Sequence, residues 1–196
     1  ATIDGVRYNT SGKDGGADVG DGSKTGFYMR KFFDETLTDM TNIDAKRSET
    51  PWVVFRLGEV YLNLAEACVE LGGKDMEALQ AVNKVRERAG IQLLNSITLA
   101  KVRQERRVEL AFEKHRFWDL KRWRIAHLDA AQGGLTNYRG TALYPWYNTK
   151  NNEYTFETGV PPKQKRLFLE RNYYIRISPT DLSTNPLLVQ NPGYGN

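Results

Sequence analysis

Residues 51–90 read PWVVFRLGEVYLNLAEACVELGGKDMEALQAVNKVRERAG, and this stretch decides the fold class. Between Pro51 and Leu71 the residues Val53, Leu57, Val60, Tyr61, Leu64, Cys68 and Leu71 recur at three- and four-residue steps, the period of one helix face. The spacing predicts an amphipathic helix of about five turns at 3.6 residues per turn. Gly72-Gly73 stops it, because glycine adopts the left-handed backbone that closes a helix. Asp75 opens a second helix with Met76, Leu79, Val82 and Asn83 inward, running to Ala89-Gly90. A two-glycine turn makes the pair antiparallel, and small Ala65 and Ala78 let the two axes approach closely.

Downstream, Thr98 is the N-cap of a third helix through LAKVRQERRVELAFEK, and a fourth follows from Arg116 through FWDLKRWRIAHL. At 100° per residue Leu99, Val102 and Leu110 share a face with Arg106 and Glu113. A buried charge without a partner costs several kcal/mol. Arg106, Glu109, Glu113, Arg116 and Asp119 are therefore expected to form a mostly buried cluster of ion pairs and hydrogen bonds. An acid/base or anion site is the functional alternative, and a structural network that fixes helix packing is the stronger reading. His115 and His127 stand twelve residues apart near helix ends with no nucleophile motif beside either, a poor arrangement for metal binding or catalysis. The helical aromatics Trp118 and Trp123 are read as core.

Proline sets the larger organisation, since none occurs between Pro51 and Pro145. Residues 1–26 form a Gly-rich loop region, and 27–196 a single unit with a helical heart at 51–128 and a loop-rich tail at 129–196. The loop holds Asp14, Asp18 and Asp21, which lack the alternate spacing of a calcium loop. No metal or cofactor is expected. In the tail, Ser178-Pro179 with Asp181 reads as N-cap, N1 proline and N3 acid of a short helix ended by Asn185-Pro186, and LFLERNYYIRIS as extended. The apolar share of 40% and charged share of 27% describe a globular chain, with no run near the roughly 18 uncharged apolar residues of a membrane span. A lone cysteine, Cys68, excludes an internal disulfide. The formal charge of +4 is concentrated in residues 101–127, where nine basic residues are interleaved with Glu105, Glu109, Glu113 and Asp119. Those acids would repel phosphate, so nucleic acid is not the expected partner.

LAEACVELGGKDMEAL resembles a tetratricopeptide helix pair with a slightly longer turn, without a second copy at fixed period. RLGEVYLNLAEA, VNKVRERAG, VRQERRVELAFEKHRFWDLKRW and NPLLVQNPGY, in that order, resemble the SusD/RagB family of outer-membrane nutrient-binding lipoproteins, from about Gly26 to Asn196. The resemblance implies a mainly α fold, a SusD-like α-α superhelix with long loops, of which this chain is the C-terminal part. The lipid-bearing cysteine and further helix pairs belong to an N-terminal half, since Cys68 lies inside a helix. It implies capture of an oligosaccharide or similar nutrient without chemistry, and handover to a TonB-dependent transporter of the SusC type. A tetratricopeptide-type peptide-binding scaffold is the alternative, although it leaves the aromatic tail unexplained. Sugars present apolar C–H patches inside a rim of hydroxyls, so loop aromatics are the expected ligand contacts: Tyr8, and Tyr144, Trp146 and Tyr147 in the Asn/Thr-rich stretch.

Overall fold

The computed structural model describes residues 6–7, 29–36, 50–138, 142–148, 150–159 and 166–195, with backbone alone at 6, 7, 142 and 147. The chain divides into two compact units, Lys31–Leu120 and Ala1–Arg30 with Lys121–Asn196. Within the described part of 51–128 lie four α-helices and no strand.

Helix α1 spans Leu57–Leu71 and α2 Asp75–Arg88. Gly72 and Gly73 join them at φ 79° and 72°, conformations that side chains resist. Their interface is built from small residues: Leu62, Ala65 and Cys68 on α1 meet Ala78, Ala81, Val82 and Val85 on α2, all nearly or fully buried. Ala78→Leu would overpack this contact and destabilise the chain by about 1–3 kcal/mol, read in a denaturant titration. Burial first, then the Glu77 carboxylate, raises the Cys68 thiol pKa, so this cysteine is held in its inert form.

Two expectations about α1 are corrected. It starts at Leu57, after an extended Arg56, not at Pro51, because proline and two β-branched valines favour extended backbone over helix. Its buried face is also rotated from the expected stripe: Leu57, Val60, Leu64 and Leu71 are exposed, Leu71 at 73%. The alanine-rich face of α2 admits the close approach that only the Ala65 side of α1 allows. Met76, expected inward on α2, is exposed for the same reason, and Asn83 instead clamps the loop beyond α2, accepting from Leu94 N–H (2.8 Å) and donating to its carbonyl (3.0 Å).

Helix α3, Leu99–Glu109, begins where Thr98 accepts from the Lys101 amide at 3.2 Å. It ends a turn earlier than expected, and Phe112 and Lys114 adopt left-handed backbone before α4 (His115–Arg122). The Lys31 ammonium donates to the carbonyls of Glu109 and Ala111, 3.0 Å each, and so caps α3 from a distant segment. Trp118 on α4, expected in the core, is 63% exposed.

The second unit corrects the loop-rich reading of the tail. Ala142–Asn148 and Glu153–Gly159 form strands β2 and β3, an antiparallel hairpin with Trp146 opposite Thr155, and β1 (Val6–Arg7) adds to the other edge of β2. The remainder of 1–26 lies outside the described residues. A 3₁₀ turn at Glu170–Tyr173 interrupts the segment expected to be extended. Helix α5, Pro179–Thr184, starts on Ser178, whose hydroxyl accepts from the Asp181 amide at 3.1 Å.

The terminal Gln190-Asn191-Pro192-Gly193-Tyr194 works as a lock. Gln190 takes both backbone groups of Ile177 at 2.9 Å, Asn191 donates to the Ile175 carbonyl at 2.6 Å, and the Tyr194 hydroxyl donates to that of Tyr174 at 3.1 Å. These side chains pair an extended segment as a neighbouring strand would. Gly193 sits at φ 81°, and a β-carbon there would fall 2.7 Å from that of Arg171. Gln190→Ala leaves an amide and a carbonyl of Ile177 unpaired. A loss of about 1–3 kcal/mol is expected, with faster hydrogen exchange at the Ile177 amide.

Candidate functional site

Four of the charged residues singled out in the sequence, Arg106, Glu109, Glu113 and Asp119, fall into two networks. In the first, Arg56 lies between two carboxylates of a segment more than fifty residues away. Its Nε and Nη2 donate to Glu113 at 2.9 Å each, and its Nη1 to Glu109 Oε1 at 2.6 Å. Arg88 donates to the same Glu109 oxygen at 2.7 Å, and Lys31 pairs with Glu113. The Glu113 side chain is only 3% exposed. Burial alone would raise its pKa, but hydrogen bonds and charge from Arg56 and Lys31 outweigh burial and hold the carboxyl below its ordinary value. The hydrogen bonds that Arg56 donates to Glu113 are the chief cause that raises the Arg56 pKa above its ordinary value. Gly58 permits the arrangement, since a β-carbon there would lie 2.5 Å from Arg56 Nη1.

In the second network Arg106, 4% exposed, donates to Asp119 Oδ2 at 2.8 Å and to Asn63 Oδ1 at 2.6 Å. Glu59 stands 3.8 Å from Arg106 and 3.6 Å from His115 Nε2. Arg116 is half-buried and lines an open cleft of about 440 Å³ with Phe112, Phe117 and Trp118. A second cleft, of about 420 Å³, runs beside the first network and includes Phe32, Phe33 and Val53. Trp52 stacks on Phe32 with centroids 5.0 Å apart, and the Lys114 ammonium lies 4.9 Å from the Trp52 centroid. With guanidinium and ammonium groups on their oxygens, Glu109, Glu113 and Asp119 serve as clamps between helices. Periodicity along one helix carried no signal for Arg56, Lys31, Arg88 or Asn63, which lie outside α3 and α4.

The two histidines lie in different units. His127 contacts the Tyr173 hydroxyl through Nδ1 at 2.8 Å, and Arg124 stacks 3.9 Å above the Tyr173 ring.

The expected ligand aromatics are redistributed by the hairpin. Tyr8 lies outside the described residues, and of Tyr147 only the backbone is described, paired with Tyr154. Tyr144 is corrected as an exposed residue. It is 8% exposed and packs so closely on Gly159 that a β-carbon there would lie 2.9 Å from its ring. Trp146 is half-buried on β2, not on a loop, and its indole donates to Glu157 at 3.0 Å. Among the described side chains of the hairpin, the exposed rings are Tyr154 (53%) and Phe156 (55%) on β3. Their i, i+2 spacing in NEYTFETG was the available signal.

These features define a mainly helical protein, an antiparallel helix pair locked to the following helices by buried ion pairs, with an aromatic hairpin and a side-chain-locked tail. The chain belongs to the SusD family, whose model matches residues 2–194. It is similar to a SusD-like protein of Bacteroides ovatus, 42% identical over 72 residues, covering 36% of this chain and 13% of that protein. SusD-like protein P2 of Formosa agariphila is 27% identical over 164 residues, covering 77% of this chain and 27% of its relative. The crystal structure of a SusD-like protein from Bacteroides fragilis superposes with a TM-score of 0.55 at 31% identity, over 73% of this chain and 26% of that one. The chain thus spans between 13% and 27% of the length of these relatives.

Proposed function

We propose that the polypeptide carrying this chain is a surface-exposed outer-membrane lipoprotein that captures a glycan or similar nutrient without altering it. Captured nutrient passes to a TonB-dependent transporter of the SusC type. The observation that carries this reading is the SusD family match across residues 2–194. The lipid anchor and further helix pairs belong to polypeptide N-terminal to this chain, in keeping with the greater length of its relatives. The exposed stripe of Leu57, Val60, Leu64 and Leu71 suits contact with those helix pairs, because an apolar stripe along one helix face is the usual footprint of another helix. Within this chain the ligand contacts fall on the β2–β3 hairpin, in which Trp146 is half-buried and Tyr147 lies opposite Tyr154.

Isothermal titration of the full-length polypeptide against a panel of oligosaccharides tests the proposal, with chromatography of the same samples afterwards. Saturable binding with the sugars recovered intact is the expected result. Shorter sugars in the chromatogram would overturn the non-enzymatic reading, and absence of binding to any member would count against glycan as the nutrient.

A further inference from the structure

We infer that Arg124 and the tyrosines it rests on form a further saccharide contact, beyond the hairpin, which takes the carboxylate of a uronic-acid oligosaccharide. The inference rests on the glycan-capture reading above and adds a charged class of ligand to it. The Arg124 side chain is exposed, and its guanidinium carbon lies 3.9 Å from the Tyr173 ring centroid and 5.5 Å from that of Tyr174. Among the described residues no oxygen accepts a hydrogen bond from that guanidinium. Arg56 and Arg106 differ, since Glu113, Glu109, Asp119 and Asn63 fill their donors.

Stacking uses the flat face of a guanidinium and leaves the N–H donors along its edge open. Two parallel donors of that edge match the two oxygens of a carboxylate, and a charge-assisted pair of this kind is among the stronger hydrogen bonds. A uronic acid carries such a carboxylate on a pyranose ring. The Tyr174 ring, 43% exposed beside the guanidinium, is open to the apolar C–H face of that sugar. A second stacked cation adjoins it. Arg171 lies 5.6 Å from the Tyr194 ring centroid, and the Tyr194 hydroxyl donates to the Tyr174 carbonyl at 3.1 Å. Tyr174 thus links two arginines, which suits a saccharide that repeats its carboxylate along the chain.

The platform under Arg124 is held in place before any ligand arrives. Tyr173 is buried, its hydroxyl accepts from the His127 amide at 3.2 Å and meets His127 Nδ1 at 2.8 Å, and Phe168 packs edge-on with centroids 5.1 Å apart. Arg124 follows α4 with left-handed backbone, φ 58°, and its amide donates to the Lys121 carbonyl at 3.0 Å. A pre-set surface loses little freedom on binding. Charge agrees with the assignment. On the segment that carries these tyrosines, residues 166–195, Arg166, Arg171 and Arg176 outnumber Glu170 and Asp181, and Asp181 accepts from the Ser178 hydroxyl at 2.7 Å. This balance attracts an anionic saccharide and gives a neutral one no advantage.

The test uses the full-length polypeptide in isothermal titrations. Hexagalacturonate and hexamannuronate are the acidic probes, maltohexaose and mannohexaose the neutral ones, and phosphatidylglycerol vesicles the phosphate arm. The wild type is expected to bind at least one acidic probe, and Arg124→Gln to bind it about tenfold or more weakly, as loss of a charge-assisted bidentate contact implies. Arg124→Lys keeps the charge without the fork and should also lose affinity, whereas Arg107→Gln, at an exposed arginine of α3, should retain it. Thermal melts check folding, and if Arg124→Gln melts early, Arg124→Lys and Arg171→Gln decide. An acidic probe bound equally by wild type and the Arg124 variants would overturn the site while leaving glycan capture standing, as would binding of neutral probes alone. Equal weakening by Arg107→Gln would reduce the effect to overall charge and overturn the site as well. Binding to the vesicles but to no saccharide would reject a saccharide as the anion's source, and failure of the wild type to bind any probe would remove both readings.

Discussion

Replacing Glu113 with alanine is expected to destabilise the chain by about 3 kcal/mol, measured by denaturant titration, because it removes a buried carboxylate that two cations share. Arg56 loses the acceptor of its Nε and one of the two acceptors of its Nη2, keeping Glu109, and Lys31 loses its carboxylate beside the end of α3. The Glu113 side chain is almost fully buried, so water does not take its place without rearrangement. Glu113→Gln keeps the volume and separates charge from packing. The pH dependence has a definite sign. A carboxyl whose folded pKa lies below its unfolded one stabilises fully above the unfolded value, near 4.3 for glutamate, and loses that contribution as pH falls through the folded value. The gap between wild type and Glu113→Gln should therefore be constant near neutrality and narrow below about pH 4. A gap independent of pH down to the acid limit would show that charge does not contribute.

Arg106→Ala is expected to cost a similar amount, about 3–5 kcal/mol, since it leaves the Asp119 carboxylate buried without its 2.8 Å donor and Asn63 without its 2.6 Å one. The double variant Arg106→Met/Asp119→Leu should be markedly more stable than either single charge deletion, because it removes both desolvated charges and fills their volume. A double-mutant cycle on these two positions measures the coupling directly. Additive losses would mean that the pair contributes nothing beyond packing.

These two networks show where the reading of the sequence succeeded and where it stopped. Arg106 and Glu113 were legible as inward-facing charges because they share a helical phase with Val102 and Leu110, and a helix reports its own phase over a few turns. That the charges divide between two networks was not legible. Arg56, Lys31 and Asn63 reach them from distant parts of the chain, and nothing in local spacing records such an approach. The redistribution of the candidate ligand residues has a similar origin. Tyr144, Trp146 and Tyr147 read as loop aromatics because Pro145 and the surrounding Asn and Thr suppress a strand reading. Pairing with β3 and β1 nonetheless makes a strand of them, turning Tyr144 inward and leaving Tyr154 and Phe156 exposed.

By itself the sequence determined whatever is decided within a few residues: the helix pair about Gly72-Gly73, its small-residue contact at Ala65 and Ala78, the caps at Thr98 and Ser178, and the ordered motifs that mark the SusD family. Tertiary structure alone decided which of two apolar stripes on α1 is buried, where α3 ends, and which strand face shows its aromatics. Each of those outcomes compares alternatives of similar local energy. The comparison is settled by what packs from far along the chain: the alanines of α2, the ammonium of Lys31, and the register of β3 on β2.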